Sequence, residues 1–379
     1  MRIGIDARLY GLEHAGLGRY VLEMVNQVLK TDTKNEYVLF LTSRHAMEFQ
    51  NKKRVKVVIT NTPIYGFLEQ IVLPFVFMRE RLDLLHIPHF NAPFLYPGKI
   101  ILTIHDLIKH QSKGKETTTR QPWLYFFKRG GYLFLTNIIV HRASHIIVPS
   151  EFVRKDVSKK LHVKVEKITV TYEAVSGNLK KIRLSDSGKR LILSRYGLSQ
   201  PFVVYTGSTY PHKNVELLID AIIKHNENKE ADLQLALIGA RPIFWERMQK
   251  KIEDQSLGHW IKLLGFVDDK NVSKLYSLAL ALVHPSKMEG FGLTGMEAMN
   301  LGLPVISSYA SCLPEVYGSA ALFFDPDNVE DLVEKMETLI SSTELRKSLS
   351  EKGLLQAKKY SWERMGKETV AVYNSLLKK

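Results

Sequence analysis

Short apolar runs alternate with helix-period segments from one end of the chain to the other. "RIGIDA" (2–7) reads as a strand. It leads through the loop "GLEHAGLGRY" into "YVLEMVNQVL", where apolar residues recur at the spacing of one helix face. "EYVLFLT", "VKVVIT", "LLHIP", "KIILTIHD", "HIIVPS" and "KITVTYEAV" (167–175) are further apolar runs ending in polar or turn residues. Strands that are apolar on both faces belong to parallel sheets covered by helices on each side. A charged stretch, "NLKKIRLSDSGKR", then reads as a linker. A second set follows it: "PFVVYTGS", "LQLALIGA", "IKLLGFV", "LALVHPS", "LPVISS" and "AALFFDP". The alternation predicts an α/β protein with two Rossmann-like domains, residues 1–178 and 191–361, facing across a cleft. A ligand is expected where the carboxyl ends of the strands meet that cleft. Residues 362–379 are expected to form a helix that returns to the first domain.

A chain of 379 residues fits two cores better than one. A hydrophobic content of 45% and a charged content of 24% exclude a disordered protein. The single cysteine, Cys312, excludes an intrachain disulfide and fits a reducing compartment. "MRIGIDARLYG" carries an acid at position 6 and no long apolar run, so no signal peptide is expected. No stretch of about 18 uncharged apolar residues is present, so no membrane span is expected either. Charge changes the picture more. The net charge is +14, but the residues up to Arg190 hold 31 Lys and Arg against 16 acids, and the remainder 22 against 23. A basic half suits nucleic acid, anionic lipid or a phosphorylated substrate, or serves solubility alone.

The candidate chemistry lies in "MEGFGLTGMEAM", Met288 to Met299. The strand "LALVHPS" ends in a loop from Lys287 to Gly292, and a helix is expected to start near Thr294. Free amides and the positive end of a helix dipole suit a phosphate. Glu289 lies in that loop and Glu297 in the expected first turn. Carboxylates accept hydrogen bonds from sugar hydroxyls, and a nucleoside diphosphate sugar has hydroxyls on both sides of its diphosphate. Plainer readings stand beside this one. Thr294 and Glu297 have the spacing of a capping box, and Glu289 could be a solvated loop acid.

The segment "HPSKMEGFGLTGMEAMNLGLPVISSYASCLPEVYG" resembles the E-x7-E region of the family 4 retaining glycosyltransferases, which have the GT-B fold. "RIGIDARLYGLEHAGLGRY", "DLLHIPHFNAPF", "ILTIHDL", "HRASHIIVPSEFVRKDV", "VVYTGSTYPHKN", "LLGFVDDKNVSKLYSLALALVHPS" and "YSWERM" resemble their counterparts in order, over nearly the whole chain. The mannosyl- and rhamnosyltransferases of bacterial surface polysaccharides are the branch it resembles most. The resemblance implies that Glu297 holds the donor ribose and that Glu289 contacts the transferred sugar. The amides around Gly290, Phe291, Gly292, Leu293 and Thr294 would line the sugar and phosphates. Lys213 would neutralise the departing diphosphate, although an exposed residue at a helix start is the plainer reading. Gly16 and Gly18 would let the first-domain loop approach the phosphates, although a tight turn would need them too. Gly239 and Gly265–Phe266 would line the base. His105 and Asp106, at the end of a first-domain strand, would stand beside the reacting sugar, unless the histidine is structural. Two departures are notable. Ser208 stands where many relatives have a diphosphate-binding arginine, so His212 or Arg241 would have to supply charge. Thr294 replaces a proline common at the helix start, and threonine is a good N-cap.

The chemistry implied is transfer of a hexose, mannose from GDP-mannose by branch, to a saccharide or lipid-linked saccharide with retention at the anomeric carbon. The leaving phosphate itself takes the acceptor proton. Neither a cofactor nor a metal is expected. "DPD" at Asp325 to Asp327 follows an apolar strand and precedes a helix, so a turn and cap explain it better than metal binding. The aromatic and basic residues of "RQPWLYFFKRGGYLFLTNIIVHRA" (120–143) suggest a helix on an anionic membrane surface, or else a core helix with basic ends. The protein is thus expected in the cytoplasm, peripheral on the inner face of the cell membrane, with no nucleic-acid partner. Rival readings are a GT-B nucleotide-sugar epimerase and a non-catalytic membrane- or polysaccharide-binding scaffold. A nicotinamide dinucleotide fold fits less well, because "GLEHAGLGRY" lacks the third glycine at the required spacing.

Overall fold

A computed structural model of the chain describes residues 1–64, 66–111, 122–175, 177, 179–227, 232–239 and 242–377. It divides into two compact units, Met1–Glu173 with Ser361–Lys379, and Ala174–Tyr360.

The first unit holds β1 (Arg2–Asp6), α1 (Ala15–Thr31), β2 (Glu36–Leu41), β3 (Val55–Ile59), α2 (Phe67–Arg79), β4 (Leu84–Ile87), β5 (Ile100–Thr103), α3 (Ile108–Gln111), α4 (Pro122–Arg142), β6 (His145–Val148), α5 (Glu151–Leu161) and β7 (Ile168–Val170). Its seven strands run parallel in the order β3-β2-β1-β4-β5-β6-β7. Every residue of β4 and β5 is buried, which explains why both read as unbroken apolar runs.

The second unit holds α6 (Asp186–Tyr196), β8 (Phe202–Thr206), α7 (Val215–Glu227), β9 (Gln234–Ile238), α8 (Pro242–Asp254), β10 (Ile261–Gly265), α9 (Asp269–Leu278), β11 (Leu282–His284), α10 (Leu293–Leu301), β12 (Val305–Ser308), α11 (Leu313–Tyr317), β13 (Ala321–Phe324), α12 (Val329–Ser341) and α13 (Thr343–Ala357). Its six strands are parallel in the order β10-β9-β8-β11-β12-β13. Leu218, Leu235, Val283, Ile306 and Leu332 belong to its core. Both sheets are doubly wound, and each reverses strand order beside its first strand, β1 or β8. That reversal is where open parallel sheets leave a crevice at their carboxyl ends.

The final helix, α14 (Trp362–Leu377), belongs to the first unit. A side chain at Gly366 would meet Gln27 Cβ at 2.6 Å, so only glycine lets α14 pack this closely on α1. Tyr373 Oη lies 2.6 Å from His86 Nδ1 in β4. Burial pushes that imidazole down to about 3, so it is neutral at ordinary pH.

Three elements depart from the expectations. α1 begins at Ala15, so Gly16 and Gly18 lie in a helix and not in the loop before it. A side chain at Gly18 would meet Gly11 O at 2.0 Å and His14 Cβ at 2.8 Å, whereas Gly16 has open space around it. Gly18 is therefore required by the packing of α1 on its own leading loop. The charged linker ends in structure: Ser185 Oγ accepts from the Gly188 amide and caps α6, which starts at Asp186. α10 starts at Leu293 with Gly292 as its N-cap in the left-handed region, φ +87°. Thr294 is thus inside the helix and Glu297 lies beyond the first turn, so the capping-box reading does not hold.

Candidate active site

In the second unit, loops at the carboxyl ends of β8 and β11 bring an acid and a base together. Pro211–Lys213 form a 3-10 turn after β8, and Asn214, left-handed at φ +57°, redirects the chain into α7. The Lys287 amide donates to His212 O at 2.8 Å, which ties the β11 loop to that turn. Lys213 Nζ then reaches Glu289 Oε1 at 2.6 Å. The same oxygen meets His284 Nε2 at 2.8 Å. The Glu289 amide donates to Ser311 Oγ at 3.1 Å, and Cys312 Sγ donates to Glu289 O at 3.4 Å. Glu289 is therefore not a solvated loop acid; it is 9% exposed. Burial alone would raise its carboxyl, but Lys213 and His284 outweigh it and hold it well below the usual range.

Beneath this pair stands Tyr317, fully buried in α11. Its hydroxyl donates to Gly292 O at 2.7 Å and lies 2.7 Å from His284 Nδ1. The Gly295 amide also reaches it. A Cβ at Gly292 would come within 2.7 Å of that hydroxyl, and one at Gly295 within 2.2 Å. Both glycines make room for Tyr317. The Gly295 amide is consequently engaged inside the protein, while those of Leu293 and Thr294 start α10.

The other expected residues fall as follows. Phe291 is buried, its ring edge-on to Tyr360 at 5.3 Å, and Gly290 precedes it in the loop. Glu297 is buried in α10 and acts electrostatically on Tyr276 in α9, whose hydroxyl donates to Thr206 Oγ1 at 3.0 Å. Gly207, Gly239 and Gly265 end β8, β9 and β10. A side chain at Gly239 would meet Gly207 O at 2.2 Å, so these strand ends meet backbone to backbone. Ser208 O accepts from Tyr205 Oη. Phe266 is 79% exposed. Burial, reinforced by Lys213, pushes His212 down to about 4. His212 is therefore neutral near pH 7 and does not supply the charge missing at Ser208. Arg241 lies outside the described residues.

His105 and Asp106 belong to the first unit, just after β5. His105 Nδ1 lies 3.1 Å from Glu173 Oε1 and Nε2 3.2 Å from Pro88 O, with the ring edge-on to Tyr20 at 4.5 Å. Burial lowers its pKa, but Glu173 outweighs that and raises it above the ordinary 6.5. Asp106 Oδ1 accepts from the Ile108 amide at 2.9 Å at the start of α3.

Among the described residues, one group, Asp6, Glu69 and His89, has metal-ligand spacing. Arg8 Nη2 already lies 2.6 Å from Asp6 Oδ2 and 2.6 Å from Glu69 Oε1, so a guanidinium meets these carboxylates. Asp325 and Asp327 form a turn, the Asp327 amide donating to Asp325 Oδ1 at 2.9 Å. The cap of α12 is their neighbour Asn328. His284 and Tyr317 were not singled out from the sequence. The one signal was a histidine closing a strand that is otherwise apolar, "LALVH".

Two family models match in tandem: Glycosyltransferase Family 4 over residues 14–176 and Glycosyl transferases group 1 over residues 195–356. The chain belongs to the family 4 glycosyltransferases. It is 30% identical to O-antigen chain mannosyltransferase B of Escherichia coli, over 62% of this chain and 61% of that protein. It is 28% identical to O-antigen chain mannosyltransferase RfbU of Salmonella typhimurium, over 63% of this chain and 60% of that one. The matches thus span about three-fifths of each relative. Sucrose-phosphate synthase of Thermosynechococcus elongatus shares the fold of this glycosyltransferase at a TM-score of 0.76, 16% identity and 99% coverage of both chains.

Proposed function

We propose that this glycosyltransferase moves a hexose from a nucleotide sugar to a saccharide or lipid-linked saccharide during polysaccharide synthesis, retaining the anomeric configuration and using no metal. The observation that carries the reading is the Lys213–Glu289 pair, held at the ends of β8 and β11 beside the start of α10. The second unit takes the donor. Lys213 and the amides at the start of α10 meet the diphosphate as negative charge develops on it. Glu289 presents its second carboxylate oxygen to the sugar, since all of its side-chain hydrogen bonds among the described residues fall on Oε1. Glu297 takes the ribose. Mannose is the sugar that the relatives' names favour, and GDP-mannose is the donor that the sequence resemblance implies.

The first unit takes the acceptor. In this reading His105 is a hydrogen-bond donor and not a base, because Pro88 O and Glu173 both require a proton from its ring. Asp106 is engaged by a backbone amide. The departing phosphate then receives the acceptor proton on the face it leaves.

The first unit also rests on the inner face of the cell membrane. No helix among the described residues is long and apolar enough to cross one. Leu68, Ile71, Val72, Phe75 and Met78 nevertheless form one exposed apolar face along α2. Phe134 and Ile138 are exposed on α4. The unit carries 30 Lys and Arg against 17 acids, which suits an anionic surface.

The test is nucleotide release from an α-linked nucleotide sugar with and without acceptor, followed by proton NMR of the product. Acceptor-dependent release and an α-linked product are expected. No release would favour a scaffold. A β-linked product would mean inversion, with Asp106 the first base to test.

A further inference from the structure

Among the described residues, the side chains at the proposed donor site offer no unmatched positive charge. Ser208 carries no charge, His212 is neutral, and Lys213 is paired with Glu289 at 2.6 Å. A lysine matched by one carboxylate is a neutral unit and a poor partner for a diphosphate.

Hydrogen-bond accounting around His284 resolves this. The Tyr317 hydroxyl has one proton, and at 2.7 Å it goes to Gly292 O, which can only accept. The same hydroxyl oxygen is 2.7 Å from His284 Nδ1, so it accepts and Nδ1 carries a proton. On the other side, Nε2 is 2.8 Å from Glu289 Oε1, a carboxylate oxygen that also accepts from Lys213. Nε2 therefore carries a proton too. We propose that His284 is an imidazolium whose charge matches Glu289 and thereby leaves Lys213 as a net positive centre for the donor diphosphate.

The inference rests on the reading that the diphosphate binds at Lys213. His284 touches no ligand; it is a positioning residue that acts through Glu289. The titratable groups around the cluster are consistent with one mobile proton, on His284. Burial pushes Tyr317, Cys312 and Tyr205 well above their ordinary values, so all three are uncharged, and Tyr276 is likewise raised. Lys213 and Glu289 are the remaining charges in contact with one another. The role explains why α10 begins with glycines at 292 and 295. Any side chain there would displace the Tyr317 hydroxyl on which Nδ1 depends.

The test measures binding of GDP, UDP, dTDP and ADP, and of the nucleoside of whichever binds tightest, to wild type, His284→Gln and Lys213→Ala. Glutamine keeps a donor toward Glu289 and removes the charge. His284→Gln should weaken the diphosphate about ten-fold, the scale of one moderately screened charge contact, and leave the nucleoside unchanged. Wild-type affinity should also fall more with rising pH than that of His284→Gln, because only the wild type has the His284 proton to lose. Equal affinity and equal pH dependence in the two proteins would overturn the inference. Lys213→Ala separates the two readings. If it leaves diphosphate affinity unchanged, the diphosphate site itself is wrong. If it weakens binding while His284→Gln does not, only the role of His284 fails. Should His284→Gln not fold, Tyr317→Phe removes the acceptor for Nδ1–H, and the pH range of tight binding should move down. An unmoved profile would overturn the inference.

Discussion

Lys213 Nζ lies 2.6 Å from Oε1 of Glu289, joining the turn after β8 to the loop after β11. The lysine expected to meet the phosphate and the acid expected to meet the sugar are one electrostatic unit. Glu289 is nearly buried, so removing its partner leaves a charge that is poorly compensated.

Acid unfolding tests that pair. The Glu289 pKa is depressed in the folded state, so its stabilising contribution is present above the unfolded value near 4.5 and is lost as pH falls through the folded one. Lys213→Ala raises the folded pKa, and the acid-unfolding midpoint should move to higher pH. Circular dichroism against pH would show it; coincident curves would mean the pair contributes nothing to the folded state.

His105 behaves in the opposite sense. Its pKa is raised by Glu173 against the effect of burial, so its stabilising contribution is present at low pH and is lost as pH rises through the folded value. The His105 ring proton resonance should titrate above 6.5, and Glu173→Gln should bring the midpoint down. A midpoint indifferent to Glu173→Gln would remove the argument that His105 is a donor.

How much of this was legible in the sequence depends on the range of the interaction. Each strand, β1 to β13, falls inside one of the runs read from the sequence. The signal is continuous where every residue is buried, as in β4 and β5, and is broken in the edge strand β3, where Lys56 and Ile59 are exposed. The helix starts were less legible. α1 was placed late because the two glycines at its start read as loop, although one of them serves a close packing contact. α10 was placed late because Thr294 is a good cap by type, whereas the space around Tyr317 makes Gly292 the cap. Glu289 and Lys213 could be singled out from motifs, but not their pairing, which spans 76 residues. His284 and Tyr317, 33 residues apart, form no pattern along the chain.

Metal removal is a third test. Asp325 and Asp327 are engaged in a turn, and Lys287 pairs with Asp327. Transfer activity should survive EDTA. Complete loss, restored by magnesium or manganese, would require a metal in the mechanism.

The membrane reading makes a fourth prediction. Co-sedimentation with vesicles should increase with anionic lipid content and decrease with added salt, which screens surface charge. Phe75, 60% exposed on α2, should matter more to this than to folding. Phe75→Glu should lower vesicle binding several-fold and leave the melting temperature within about 2 °C, as an exposed substitution does. Binding independent of lipid charge would favour α4 as an ordinary core helix.

The most direct measurement of the central claim is steady-state transfer by Lys213→Ala and Glu297→Ala with saturating acceptor. Lys213 meets charge that develops as the diphosphate departs, so its loss should lower kcat at least about 100-fold, the scale of one lost oxyanion-type stabiliser. Glu297 holds a ribose whose contact is the same in ground and transition states, so its loss should raise the donor KM and spare kcat. A Lys213→Ala enzyme with near-normal kcat, together with a Glu297→Ala enzyme impaired in turnover alone, would contradict the account.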